Sequence, residues 1–122
     1  MIAVTCMMVT TVYAEYSLKD QSEIIGVWDV QAESPKLDGP RRALETEWEF
    51  KQDGTFIGKS KDFRAAQGEL TSKLKYSVEN GKIRKQLRPG SSKYEECAVI
   101  EKEGTDMTIK CRNLYFFLTK QQ

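Results

Sequence analysis

The chain lacks histidine altogether. Its absence removes the commonest general base and the commonest metal ligand near neutral pH. Net charge is almost missing too. The 19 basic and 18 acidic residues leave a formal +1, too weak a field to gather nucleic acid or an anionic membrane. No apolar run reaches the ~20 residues that a membrane-crossing helix needs. No serine or cysteine stands beside a recognisable base, so a nucleophile here would need help from a lysine or a carboxylate. Glu47 and Glu49 share a strand face, as paired carboxylates would, but a solvated outer face is the plainer reading. The chain therefore reads as non-enzymatic and without a cofactor.

What is present fits one domain. The 122 residues, 39% hydrophobic and 30% charged, can bury a single core. Met1 to Ala14 carries no charged side chain, and the stretch ends Val12-Tyr13-Ala14, a small-residue cleavage pattern. Residues 1–14 read as a secretory signal and 15–122 as the mature domain, bound for the periplasm or the medium. No Lys or Arg precedes the apolar run, and its Val, Thr and Ile content would equally suit a strand. Loss of the leader removes Cys6 and leaves Cys97 and Cys111, an even count that in an exported domain points to a bridge. With Met107 these sulfurs would also suit copper or haem. A disulfide consumes both thiols, however, and Met107 alternating with Ile109 reads as core, so no metal is expected.

Period-two alternation dominates the rest. A short helix is expected over Ser17–Ile25, capped by Ser17 and ended by Gly26. Trp28 and Val30 then share one strand face, and Ser34–Arg42 is a loop carrying Pro35 and Pro40. Asp53-Gly54 and Asn80-Gly81 mark hairpins. The second pairs Val78 with Ile83 and Leu74 with Leu87. A turn at Gly104 sets Cys97 opposite Cys111, Val99 opposite Ile109 and Glu101 opposite Met107. A turn at Arg112-Asn113 sets Ile109 against Phe116 and Met107 against Leu118. One face then carries Cys97, Val99, Met107, Ile109, Cys111, Leu114, Phe116 and Leu118, while Tyr115 and Phe117 face away and are expected to pack on the N-terminal helix. The stretch from Asp62 to Leu70 has the weakest pattern, with 65–68 read as a loop. About eight strands with one helix signal make an all-β antiparallel barrel or sandwich.

The run Ile24-Ile25-Gly26-Val27-Trp28-Asp29-Val30 resembles the opening of lipocalin-like domains, which carry Gly-x-Trp after a short helix. Trp48 to Phe56, and the Asn-Gly hairpin from Tyr76 to Ile83, resemble later hairpins of the small bacterial members. The resemblance implies an up-and-down barrel with Trp28 plugging one end and a basic residue, Lys120 or Arg112, packed over it. It also implies an interior for small apolar molecules. Trp28, Trp48, Phe50, Tyr76 and Phe116 could line such a pocket or simply fill the core. The basic run Lys82, Arg84, Lys85, Arg88 and Lys93, with Tyr76 and Tyr94 for stacking, reads as a solvated outer strand face rather than a nucleic-acid site. Binding of a small apolar or amphipathic ligand by a monomer is the favoured expectation. The alternative is a protein partner held by barrel-end loops such as Ser34–Arg42.

Overall fold

A computed structural model describes residues 15–61 and 68–122. The expected leader with Cys6, and most of the expected 65–68 loop, lie outside the described residues. Tight turns set the architecture. Asn80 and Gly81 both take positive φ, 53° and 77°, so a two-residue loop joins Glu79 directly to its partner Lys82. A two-residue Arg112-Asn113 loop likewise joins Cys111 to Leu114. Lys51 N–H bonds the Thr55 carbonyl at 2.8 Å around the Asp53-Gly54 turn.

These hairpins order the strands β1 (Gly26–Ser34), β2 (Arg42–Phe50), β3 (Thr55–Lys61), β4 (Glu69–Glu79), β5 (Lys82–Gln86), β6 (Tyr94–Glu103), β7 (Asp106–Cys111) and β8 (Leu114–Lys120). Each pairs antiparallel with the next, and β8 returns to β1, closing the barrel. The Val78–Ile83, Cys97–Cys111, Val99–Ile109, Ile109–Phe116 and Met107–Leu118 pairs form as the alternation predicts. The Cys97–Cys111 disulfide joins directly opposed residues whose Cα atoms are 4.3 Å apart.

Four expectations change. A bulge between Val99 and Glu101 shifts the register by one, so Met107 faces Lys102 instead of Glu101. The β4–β5 pairing stops short of Leu74–Leu87. β5 ends at Gln86, whose buried amide accepts Lys75 N–H at 2.8 Å and donates to the Ser91 carbonyl at 3.1 Å. The N-terminal helix contracts to a 3-10 turn at Gln21–Glu23, capped by Asp20 and not Ser17. Tyr115 and Phe117 are covered by cations rather than by that turn: Lys110 Nζ lies 5.3 Å from the Tyr115 ring, and the Arg41 guanidinium 3.6 Å from the Phe117 ring.

The segment before the turn instead crosses one end of the barrel. Tyr16 bridges Val99, and Leu18 N–H bonds the Gly81 carbonyl at 3.0 Å. Leu18 and Ile24 are buried over that end beside Trp28, whose indole N–H bonds the Ile24 carbonyl at 2.9 Å. Lys120 places Nζ 5.8 Å from the Trp28 ring, so Lys120, not Arg112, is the basic residue over the plug. The backbone explains Gly26: its φ of +133° is one that residues with a Cβ rarely adopt, and a Cβ there would also lie 2.8 Å from the movable Lys120 Cε. Gly26→Ala is expected to cost roughly 1–3 kcal/mol, read as a lower urea midpoint with an unchanged slope.

The same segment carries a pH dependence. The Tyr16 hydroxyl donates to Glu23, which also accepts Lys19 N–H at 2.7 Å. The Tyr16 bond, then the Lys19 amide, hold the Glu23 carboxyl below its ordinary range, and the same bond to Glu23 raises the Tyr16 phenol. A depressed carboxyl stabilises above its unfolded pKa and loses that stability as pH falls through the folded value. Acidification below the ordinary glutamate range should therefore loosen this segment, seen as faster amide exchange at Lys19, and Tyr16→Phe should remove much of the effect.

Candidate binding site at the open end of the barrel

Inward side chains fill the barrel from the plugged end upward. Trp28, Val30, Val99, Ile109 and Leu118 are buried in one cluster with a series of rings. Tyr76 meets Phe50 with centroids 5.1 Å apart, Phe50 meets Phe56 at 5.2 Å, Phe56 meets Trp48 at 5.6 Å and Trp48 meets Phe116 at 5.0 Å. Tilted and edge contacts of this kind add about 0.5–1.5 kcal/mol each beyond burial. Tyr76 is satisfied by donating its hydroxyl to the Lys51 carbonyl at 2.6 Å, and burial pushes its phenol above the ordinary value.

The five rings named from sequence thus separate by depth. Trp28 is the plug, Phe50 and Tyr76 are floor, and Trp48 and Phe116 stand at the open end. Phe116 lines two clefts there. One, of about 470 Å³, runs between β2 and β3 past Leu44, Thr46, Trp48 and Ser60. The other, of about 320 Å³, is bounded by Lys85, Glu95, Cys111, Arg112 and Leu114. Leu114, expected inside, is 36% exposed on this rim.

The charged members of the second cleft are the residues that pattern reading missed. Lys85 is registered opposite Tyr76 on β4 and Glu95 on β6, so it projects inward from β5. Its Nζ lies 2.8 Å from Glu95 and 5.1 Å from the centroid of the Phe56 ring. Both side chains are only 14% exposed. Arg112, at a φ of 56° in the β7–β8 turn, brings its Nε to 3.2 Å from the other Glu95 oxygen. The basic run read as one outer face is therefore split: Arg84 stays outside, 4.3 Å from the Tyr94 ring, while Lys85 points in. The signal was present, since Lys85 alternates with Ile83 and Leu87, and Glu95 precedes Cys97 by two. On the far rim Glu33 pairs with Arg42 at 3.2 Å. A bulge between Val30 and Ala32 is what turns Glu33, rather than Ala32, into register with Phe116.

Glu95 lies within 4.8 Å of the Cys97 and Cys111 sulfurs, but the disulfide removes the thiolates a metal would need. Glu47 takes a hydrogen bond from Gln121 at 2.7 Å, as does Asp29 across from it, and both stand on the outer sheet face.

No family model and no curated protein matches the chain. Solved structures do. The chain is similar to a lipocalin-like protein from Bacteroides uniformis, with a TM-score of 0.61 and 14% identity over 81% of this chain and 99% of that one. It is also similar to an uncharacterized protein from Bacteroides eggerthii, with a TM-score of 0.59 and 14% identity over 80% and 98% of the two chains. At such identity the likeness establishes the fold.

Proposed function

From the lipocalin-like barrel, we propose that this chain is a non-enzymatic, exported binding protein that holds a small apolar or amphipathic molecule at the open end. The supporting observation is the aromatic cleft wall of Trp48 and Phe116 above a floor already filled by Phe50, Phe56 and Tyr76. Ligand surface laid on those rings would be removed from water at about 25 cal/mol per Å², less the ordering costs. The buried Cys97–Cys111 bridge and the uncharged residues 1–14 support export, since disulfides persist in oxidising compartments. Among the described residues, no helix is long and apolar enough to cross a membrane.

A second reading is favoured by the filled floor itself: an accessory protein that engages a partner through the 35–41 loop. Native mass spectrometry of protein purified from its own host separates the two. The expected result is a retained small molecule that is lost from a Trp48→Ala/Phe116→Ala variant. A bare chain with a co-purifying protein would favour the partner instead.

A further inference from the structure

The open end is not only aromatic; it carries uneven charge. On the β2 side the ion pairs balance, Glu33 with Arg42 and Glu45 with Lys61. On the β5–β8 side one carboxylate, Glu95, is shared by two cations, Lys85 on one oxygen at 2.8 Å and Arg112 on the other at 3.2 Å. Glu95 is the sole acid along that cleft among the described residues. The three formal charges leave one positive charge unmatched beside Phe116 and Leu114. Lys85 is held over Phe56 and Trp48 at 5.1 and 5.5 Å, where water screens it poorly, so an incoming anion would feel it more strongly than a surface lysine. Arg112 is 63% exposed and keeps guanidinium N–H groups free of Glu95 for a second acceptor.

Resting on the open-end reading above, we propose that the ligand is an amphipathic anion: a molecule whose single acidic group docks between Lys85 and Arg112 and whose apolar body lies on Phe116, Leu114 and Trp48. Glu95 positions both cations and limits their surplus to one charge. It thereby sets the preference for a monoanion over a neutral or cationic amphiphile, the latter being repelled by Lys85 and Arg112.

Two dyes that differ by one sulfonate test this. 8-Anilinonaphthalene-1-sulfonate and the neutral N-phenyl-1-naphthylamine are titrated against the folded protein, with far-UV spectra confirming each variant. The sulfonate dye is expected to bind more tightly than the neutral one. Lys85→Met and Arg112→Asn, the second chosen because asparagine tolerates positive φ, should each weaken the anion by about tenfold relative to the neutral dye, the scale of one charge-assisted contact. Glu95→Gln should tighten the anion, a gain that simple damage to the cleft would not produce. If both dyes bind and their ratio ignores all three substitutions, the head-group assignment is overturned while the open-end site stands. If neither dye binds, both readings fail.

Discussion

Trp28→Ala should fold with a much lower urea midpoint than the wild type. The indole is 1% exposed, bonds the Ile24 carbonyl and supports Lys120 on its face. Removing a buried tryptophan side chain costs about 3–5 kcal/mol, against a total stability of roughly 5–15 kcal/mol for a domain of this kind. Trp28→Phe keeps most of the ring packing but strands the Ile24 carbonyl, and should cost about 1–3 kcal/mol. Urea denaturation should rank the three proteins in that order. Because Trp28 closes the end of the barrel remote from Phe116, the Phe variant should still bind N-phenyl-1-naphthylamine normally. Wild-type stability in Trp28→Ala would mean that this end is not sealed by the indole.

The second large effect belongs to the disulfide. Cys97 and Cys111 are 14 residues apart in sequence, and closing a loop of that size restrains the unfolded chain by about 3 kcal/mol in the chain-entropy account. Cys97→Ala/Cys111→Ala should therefore lower the midpoint of thermal unfolding by about 10–20 °C. Cys97 is fully buried and Cys111 6% exposed, so mild reductant should act slowly on the native protein and quickly once it is partly unfolded. An unchanged melting temperature in the double variant would show that the β6–β7 ladder alone holds this corner.

The barrel was legible wherever turn chemistry and alternation agreed. Asn80-Gly81 and Arg112-Asn113 fix their registers because a two-residue loop leaves no slack, whereas the cysteine pairing expected from a turn centred on Gly104 forms because the bulge between Val99 and Glu101 offsets a two-residue loop joining Glu103 to Asp106. Bulges were invisible, because one extra residue in a strand carries no compositional mark; those near Gln31 and Ile100 moved Glu33 and Met107 to unforeseen neighbours. The helix signal at Ser17–Ile25 marked a real but shorter element: Asp20, accepting Ser22 N–H, caps a 3-10 turn at Gln21–Glu23, while Tyr16 is drawn into a bridge with Val99. Lys85 and Glu95 obeyed the alternation but violated the expectation that charge faces water. Each makes the other tolerable inside, and no pattern along one strand reveals that pairing.

The proposed ligand lies against Trp48, which lines the open-end cleft, and not against Trp28, its registered partner on β1, which is 1% exposed with its indole N–H on the Ile24 carbonyl. The direct measurement follows the two indole N–H resonances of 15N-labelled protein during titration with N-phenyl-1-naphthylamine. The Trp48 signal should shift in a saturable way while that of Trp28, held by its bond to the Ile24 carbonyl, stays fixed. A shift confined to Trp28, or none in either, would contradict that placement.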